Sequence, residues 1–269
     1  MNLPPQAAET TRYTCNVCGH ENQQETAGFH REIALCAGCG SNARFRGIVA
    51  LLADGLGIPR RLPLRKWKTN KAMRGIGMSD WPGYAESLAR LFDYRNTYYD
   101  REPRLDIQAP DPGWLGQMDF LISSDVFEHV LPPLENAYRN LHALLKPGGR
   151  LIFSVPYTRT EATVEHFSDL HEHQILDFRG RRILVNRDRA GRYTVYDDLV
   201  FHGGEGATLE MRIYCEADVL ARLHDAGFVD IQVHDRPDLD IGYYWPPLAG
   251  RTPTAPKLYA YLITARKPA

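Results

Sequence analysis

Four cysteines stand in two closely spaced pairs near the N-terminus. Cys15 and Cys18 form the first C-x2-C pair, Cys36 and Cys39 form the second, and seventeen residues separate the pairs. Thiolates at this spacing hold one tetrahedral metal ion, and a four-thiolate site is closed and structural. Residues 15–40 contain almost no apolar core, so a metal must supply folding free energy. The pattern predicts structural zinc in a zinc-ribbon-like module. Rubredoxin-type iron and metal-free buried cysteines are the alternatives.

Two glycines, Gly75 and Gly77, lie in a short segment that leads into an amphipathic stretch. A strand that turns tightly into a helix lets backbone N–H groups approach a ligand, and glycine removes the steric obstacle. A tight turn without a ligand explains two glycines equally well. Their place at the opening of a strand–helix unit favours a binding loop that continues to Asp80.

Polar side chains also follow the apolar stretch 118–124. Ser124, Asp125 and His129 come where this stretch ends. In open α/β sheets, ligands bind at the carboxyl ends of the strands. We therefore expect these side chains, together with Val126, to border a binding site.

Apolar periodicity predicts the elements that position these residues. Continuous apolar stretches are typical of strands buried on both faces of a parallel sheet, and helix-period patterns alternate with them. The alternation predicts a doubly wound, mostly parallel α/β sheet with an antiparallel edge. Predicted helices cover 41–56, 82–92, 134–145 and 216–226, and predicted strands cover 71–77, 95–99, 105–107, 118–124, 150–156, 211–214, 228–234 and 257–265.

Residues 157–210 interrupt this alternation as an insertion. They contain a predicted β-hairpin over 181–198 whose turn lies near Asp188–Gly191. The insertion also holds four histidines, which are His166, His171, His173 and His202. The predicted domains are a zinc-binding module with its following helix (1–57), a linker (58–70) and an α/β domain (71–269) that carries the insertion.

Composition bounds the class of protein. The 269 residues are 43% apolar and 24% charged, with a net charge of -1 and a pI of about 6.8. No apolar run approaches the length of a membrane span, and the N-terminal residues lack the pattern of a signal peptide, so we expect cytoplasmic residence. Near-neutral charge argues against nucleic acid as the main partner. Seven basic residues between 60 and 74 are either a solvated linker face or an anion-binding edge.

The text of residues 123–156 resembles the fourth and fifth strands of class I S-adenosylmethionine (SAM) dependent methyltransferases. These carry a D-V-x-E-H turn and then L-K-P-G-G before the next strand, as do SSDVFEHV and LHALLKPGGRLIFSVP here. Ala226-Gly227-Phe228 is also typical of them. The resemblance covers roughly 71–156 and 211–265. The stretch Cys36–Leu52 resembles a bacterial subgroup with a cysteine knuckle and an arginine-bearing helix.

The resemblance implies a Rossmann-like sheet that binds SAM. It places the methionine end of SAM at the glycine turn, the ribose at the end of the second strand, the adenine after the third and the sulfonium at the end of the fourth. The residues implied at the methionine end are Gly75, Gly77 and Asp80, and the residue implied at the ribose is Tyr99 or Asp100. Asp106 and Ile107 are implied at the adenine, and Ser124, Asp125 and Val126 are implied at the sulfonium. His129 would face the substrate.

The glycine motif departs from the family pattern at two positions. Met73 occupies the usual acidic position, and Ser79 occupies that of the third glycine. An acidic residue there normally orients the amino group of SAM. Another group must therefore make this contact, and Asp80 is the candidate.

The resemblance predicts an enzyme that transfers a methyl group from SAM to a small-molecule acceptor. A hydroxyl acceptor needs a general base, and histidine suits that role near neutral pH. Because the sequence offers several histidines that could act as this base, we predict a hydroxyl oxygen as acceptor, with His129, His166 and His202 as candidate bases. Hydrogen-bonded loop histidines are the alternative interpretation of each. His171 and His173 could instead chelate a second metal ion.

Three other functions remain open at this stage. An RNA methyltransferase would use the zinc module and the basic stretch to hold RNA. A non-catalytic protein would keep the fold as a relic, and a non-methylating enzyme would use SAM differently; the altered glycine motif motivates both. The sequence does not give the oligomeric state.

Overall fold

The computed structural model describes residues 9–33, 35–167, 169–202, 208–249 and 255–269, apart from the side chain of His202. The N-terminal module begins with an antiparallel pair of strands, β1 (Thr10–Thr14) and β2 (Glu21–Glu25). Helix α1 (Ala43–Gly55) follows the second cysteine pair. The side chain of Asn42 caps this helix by accepting a 2.9 Å hydrogen bond from the backbone N–H of Phe45.

A six-stranded sheet forms the centre of the molecule. Its parallel strands are β3 (Arg74–Met78), β4 (Asp93–Thr97), β5 (Met118–Ser124) and β6 (Leu145–Ser154). Helix α2 (Pro82–Leu91) connects β3 to β4, and helix α3 (Glu135–Leu144) connects β5 to β6. The side chains of β5 are almost all buried, as expected for a strand covered on both faces.

Residues after β6 form short strands of the insertion before the chain returns to the sheet. The insertion contains β7 (Tyr157–Thr158), β8 (Val164–Glu165), β9 (Glu172–Phe178), β10 (Arg181–Arg187), β11 (Tyr193–Tyr196), β12 (Phe201–His202) and β13 (Thr208–Leu209). Strand β10 pairs antiparallel with both β9 and β11. The predicted hairpin turn is present, because Gly191 donates to the carbonyl of Asp188 at 3.0 Å.

The last part of the chain completes the sheet. It comprises β14 (Arg212–Cys215), α4 (Glu216–Asp225), β15 (Val229–His234) and β16 (Leu262–Arg266). The strand order is β15-β16-β6-β5-β3-β4. Strand β16 runs antiparallel to both of its neighbours. The predicted α/β class, with a mostly parallel sheet and an antiparallel strand pair at one edge, is confirmed.

One predicted strand is replaced by a loop. Residues 105–107 were expected to form the third strand, but only a single parallel bridge links Arg104 to Tyr98. Leu105 and Ile107 are nevertheless buried in the core. The carboxylate of Asp106 accepts the backbone N–H of Gln108, which turns the chain before a ladder can form.

The N-terminal module and the sheet share one hydrophobic core. Cys15, Val17 and the buried face of α1 belong to the same cluster of packed side chains as Ile122 of β5 and Leu262 of β16. Gly47 lets α1 approach the sheet, because a Cβ there would lie 2.4 Å from the ring of Tyr243. The described residues include no helix long and apolar enough to cross a membrane.

Candidate active site

The four N-terminal cysteines converge as the spacing predicts. Their sulfurs all lie within 4.8 Å of one another, with 3.8 Å from Cys15 Sγ to Cys39 Sγ and 3.6 Å from Cys18 Sγ to Cys36 Sγ. A sulfur tetrahedron around zinc, with Zn–S near 2.3 Å, has edges of about 3.8 Å. The donor set and its dimensions therefore fit a closed tetrahedral zinc site. Among the described residues, this is the one group of three or more metal-ligating side chains close enough to share an ion.

Hydrogen bonds orient the four sulfurs. The backbone N–H groups of His20 and Gly38 each donate to a cysteine sulfur at 3.4 Å. The side chain of Asn22 adds a 3.4 Å hydrogen bond to Cys36 Sγ. Gly19 and Gly40 have φ of 82° and 75°, a left-handed backbone that glycine adopts without a Cβ penalty. Each cysteine pair is thus followed by a left-handed glycine turn.

Two left-handed residues mark the carboxyl ends of neighbouring strands. Ser79 directly follows β3 with φ of 58°, and Asp125 directly follows β5 with φ of 56°. Such a backbone costs a non-glycine residue about 1–2 kcal/mol. It is held by hydrogen bonds from the Ser79 N–H to the Thr97 carbonyl and from the Asp125 N–H to the Ser154 carbonyl, both 2.8 Å. The two turns flank the point where the strand order reverses, which is the usual ligand position in open α/β sheets.

The predicted glycine loop is packed by side chains of the protein. A Cβ on Gly75 would lie 2.1 Å from the ring of Phe120, and one on Gly77 would lie 2.0 Å from the carboxylate of Asp80. Asp80 is buried and accepts a hydrogen bond from the hydroxyl of Tyr94. Burial raises the pKa of Asp80 to about 7. Both glycines therefore serve close packing behind the turn, and Asp80 is tied to that packing.

The end of β4 and the following loop carry the residues predicted for ribose and adenine. Tyr99 and Asp100 lie exposed two and three residues beyond the end of β4. Asp106 is half-buried and Ile107 is buried, and the side chain of Asn140 donates to the Ile107 carbonyl at 2.8 Å. Asp106 also lines a cavity of about 250 Å³ with Trp114 and neighbouring loop residues. A second cavity, of about 200 Å³, lies at the opposite, amino ends of β3 and β5.

Arginines from the N-terminal module reach the turn after β5. Arg31, between the two cysteine pairs, binds Asp125 with 2.6 Å between Nη2 and Oδ1. Arg44 of α1 donates to the hydroxyl of Ser124 at 2.9 Å, and both arginines also bind Glu32. Burial opposes ionisation of Asp125, but these guanidinium groups outweigh it and hold its pKa well below the usual range. The module thus supplies part of the site, although neither Arg31 nor Glu32 was singled out from the sequence.

Two buried carboxyl groups and two histidines form the other side of this site. Glu128 and His129 lie in a single helical turn after β5, and His129 Nδ1 lies 2.9 Å from the Leu209 carbonyl. His166 Nε2 lies 2.9 Å from a carboxylate oxygen of Glu210. The backbone N–H of Met211 donates to the Glu128 carbonyl at 2.8 Å, which fastens the insertion to the turn. The structure therefore brings predicted bases His129 and His166 to one region.

Some predicted features lie elsewhere or outside the described residues. The side chain of His202 lies outside the described part of the chain. His171 and His173 are exposed. Cys215, the fifth cysteine of the chain, occupies the N-cap position of α4, and its thiol donates to the Thr160 carbonyl at 3.0 Å. The rings of Tyr243 and Trp245 are buried in the core, so they serve packing.

Carboxylates and carbonyls partner much of the basic stretch between 60 and 74. Arg60 lies 3.2 Å from Asp238, and Arg74 lies 3.2 Å from Asp93. Lys71 donates to the carbonyls of Ala89 and Phe92 near the end of α2. These partners favour the linker-face interpretation over an anion-binding edge.

Comparison with known proteins identifies a methyltransferase domain in this chain. Residues 105–153, which run from the predicted adenine loop through β5 and α3 into β6, match the family model described as a methyltransferase domain. The prediction that the protein is a SAM-dependent methyltransferase enzyme is thereby confirmed at the level of this domain. No curated protein matches the chain by sequence.

Solved structures with a similar arrangement are distant. One is the 1,6-didemethyltoxoflavin N1-methyltransferase of Burkholderia thailandensis with S-adenosylhomocysteine bound, at 15% identity over 84% of this chain and 78% of that chain, with a TM-score of 0.42. A sugar N-methyltransferase from Streptoalloteichus sp shares 13% identity over 83% of this chain and 87% of that chain, with a TM-score of 0.43. A SAM-dependent methyltransferase from Clostridium acetobutylicum shares 15% identity over 74% of this chain and 85% of that chain, with a TM-score of 0.39.

Proposed function

We propose that this enzyme transfers a methyl group from SAM to a small molecule at the carboxyl ends of β3, β4 and β5. The observation that carries the proposal is the pair of left-handed turns at Ser79 and Asp125, which flank the reversal of strand order within a methyltransferase-type sheet. Strained backbone that hydrogen bonds hold in place is common at binding sites. The buried hydroxyl of Ser123, at the end of β5, has no hydrogen-bond partner among the described residues.

The chain's own residues would hold the cofactor at four places. The exposed carboxylate of Asp100 would accept hydrogen bonds from both ribose hydroxyls, since an ionised carboxylate offers several acceptor positions. Tyr99 is the alternative residue for the ribose contact. Asp106 and Ile107 border the adenine, and Ser124, Asp125 and Val126 flank the sulfonium. Gly75 and Gly77 keep the turn close-packed against the methionine end, and Asp80 fixes that turn from behind.

Proton removal from the acceptor falls to a histidine. When bound, SAM supplies an electrophilic methyl group on a sulfonium. His166 is the favoured base, because the carboxylate of Glu210 lies 2.9 Å from its Nε2 and orients the ring. His129, whose Nδ1 lies 2.9 Å from the carbonyl of Leu209, orients the acceptor. His202 is a further candidate base. The acceptor atom is one that carries a proton, either the hydroxyl oxygen expected from the sequence or a nitrogen.

We also propose structural zinc at Cys15, Cys18, Cys36 and Cys39. A closed four-thiolate site has no open coordination position, so the ion supports folding and takes no part in the reaction. Its effect on the site is indirect, since residues of the same module, Arg31 and Arg44, bind Asp125 and Ser124.

Calorimetry with S-adenosylhomocysteine tests the proposal without knowledge of the acceptor. We expect binding by the wild-type protein at sub-millimolar ligand. Asp100→Asn should weaken it about tenfold or more, because hydrogen bonds to a charged group contribute about 1.5–3 kcal/mol. Asp225→Asn, at an exposed position of α4, serves as the matched control and should bind normally. No binding by the wild-type protein would refute the proposed function.

A further inference from the structure

Glu128 is a buried carboxyl group whose side chain makes no hydrogen bond to another described residue. Its side chain is 1% exposed, and apart from its own backbone N–H neither carboxylate oxygen has a hydrogen-bond partner among the described residues. A buried polar group without partners costs roughly 1–3 kcal/mol, and more when it is charged. Such a cost at a site that borders the cofactor position indicates a group kept for a ligand.

The charged groups around Glu128 are engaged with other partners. Arg31 binds Asp125 and Glu32, on the side of the zinc module. Arg212 of β14 binds Glu165 through Nε and donates Nη1 to the carbonyls of Phe127 and Val130, while its Nη2 has no partner among the described residues. On this side of the site, the guanidinium groups thus bind other acceptors and none donates to Glu128.

Titratable groups complete the surroundings of Glu128. His129 Nε2 is 3.9 Å from Glu128 Oε1, outside hydrogen-bond distance. Glu210, 2% exposed, lies near enough to act on it electrostatically and binds His166. Burial, followed by the charge of Asp125, raises the pKa of Glu128 well above its usual range. Both causes favour the neutral form of this carboxyl group over the charged one.

We propose that Glu128 recognises the acceptor and that the acceptor is an amine, which enters as an ammonium group. An ammonium group offers several N–H donors and a positive charge that can pair with the Glu128 carboxylate, to which no guanidinium group donates. A hydroxyl offers one donor and no charge. The inference rests on the proposed function and narrows its acceptor from a hydroxyl or an amine to an amine. A shared metal ion is a poorer fit, because the carboxylates and histidines here do not form a group with converging ligand atoms.

The proton balance follows from this arrangement. Binding of the ammonium group makes Glu128 release its own proton to solvent. One N–H proton of the bound group then passes to His166, which frees the nitrogen lone pair. That lone pair forms the new N–C bond as the C–S bond breaks, and its electrons stay on sulfur in S-adenosylhomocysteine. His166 returns its proton to solvent when the product leaves.

Proton release on binding is the decisive measurement. Methylammonium would be titrated into the protein saturated with S-adenosylhomocysteine, in buffers of different ionisation enthalpy, with methanol as the neutral counterpart. We expect methylammonium to release up to one proton per chain and to abolish the infrared C=O band of a protonated carboxyl group. Methanol should do neither.

Two variants separate recognition from a structural role. Glu128→Gln and Glu128→Met should both lose the methylammonium-linked proton release and keep their affinity for S-adenosylhomocysteine. Glu128→Met should also melt at or above the wild-type temperature, because it removes an unpartnered buried carboxyl group, whereas loss of a structural contact would lower the melting temperature. Glu172→Gln, in an exposed ion pair of β9, is the control and should behave as the wild type.

Several outcomes would overturn the inference. Equal binding of methanol, persistence of proton release in Glu128→Gln, or no response to methylammonium would each do so. Loss of the carboxyl band with Mn²⁺ but not with methylammonium would show a metal ligand instead. All of these measurements are made with S-adenosylhomocysteine bound. If the protein does not bind S-adenosylhomocysteine, the proposed function itself fails, and this result is distinct from a failure of the inference about Glu128.

Discussion

At the residue scale, Asp125 joins the N-terminal module to the sheet. Its backbone is left-handed and its carboxylate binds Arg31 and Arg44. A largely buried ion pair stabilises little relative to apolar packing, but removal of the Asp125 charge leaves the buried guanidinium of Arg31 with Glu32 as its only carboxylate partner among the described residues. The residue that closes the end of β5 therefore also determines where the arginines lie.

Asp125→Asn should reveal this dependence. Asparagine tolerates the left-handed backbone, so the variant removes the charge alone, and we expect a loss of about 2–3 kcal/mol in the free energy of unfolding near neutral pH. Because the folded pKa of Asp125 is depressed, this stabilisation exists above its unfolded pKa and is lost as the pH falls through the folded value. Urea denaturation measures both effects.

An exposed ion pair provides the control for this variant. Asp230 pairs with Arg266 at 2.8 Å, and its side chain is 67% exposed. Asp230→Asn should change the free energy of unfolding by less than about 1 kcal/mol. Equal losses in the two variants would contradict a special role for Asp125.

Asp80 should give the opposite pH dependence. Burial raises its folded pKa to about 7, above the unfolded value of about 3.9. Its contribution to stability is therefore fully present below pH 4 and is lost as the pH rises to 7, by about 2–4 kcal/mol. Asp80→Asn, which keeps an acceptor for Tyr94, should remove this dependence. Urea denaturation at pH 5 and pH 8 would test this prediction. An equal loss of unfolding free energy between the two pH values in the wild-type protein and in Asp80→Asn would contradict it.

At the scale of elements, β3 depends on two close approaches. Gly75 faces the ring of Phe120 on β5, and Gly77 faces Asp80 and Tyr94. The sequence suggests a ligand as the reason for these glycines, whereas the structure shows side chains of neighbouring strands. Both explanations are compatible, because the same packing shapes the turn at Ser79.

Gly75→Ala should therefore destabilise the sheet. Its Cβ would overlap the aromatic ring of Phe120, and overpacking of this kind costs about 1–3 kcal/mol. Gly28→Ala is the matched control, since the nearest atom to its Cβ is the end of a side chain at 3.9 Å. Thermal unfolding compares the two, and the double variant Gly75→Ala/Phe120→Leu should recover part of the loss. Equal melting temperatures for the two single variants would refute the packing explanation.

At the scale of the whole molecule, the N-terminal module is a part of the candidate site. It shares its core with the sheet and contributes Arg31 and Arg44 to the turn after β5. The predicted boundaries at 57 and 70 remain predictions, and the core continues across both of them.

Metal removal should therefore weaken cofactor binding. Cys18→Ser or treatment with a strong chelator should lower the affinity for S-adenosylhomocysteine at least about tenfold, which equals about 1.4 kcal/mol. Cys215→Ser is the control, because a hydroxyl can keep the hydrogen bond to the Thr160 carbonyl. Elemental analysis should find one zinc ion per chain in the wild-type protein and in this control. Unchanged affinity after complete removal of zinc would show that the module does not support the site.

The sequence by itself determined the features that depend on local spacing and periodicity. The knuckle spacing predicted the cluster of Cys15, Cys18, Cys36 and Cys39, because their geometry depends mainly on short segments. Apolar runs predicted β5, and helix-period patterns predicted α1 and α4, because burial imposes the period of each element. The turn at Asp125 was found because ligand sites follow strand ends.

Tertiary structure alone decided which distant side chains meet. Arg31 and Asp125 are 94 residues apart, and His166 and Glu210 are 44 apart. Neither pair leaves a local pattern, since their approach depends on how the module and the insertion pack on the sheet. The isolation of Glu128 is likewise invisible in the sequence, because an unpartnered carboxyl group is defined by every group that surrounds it.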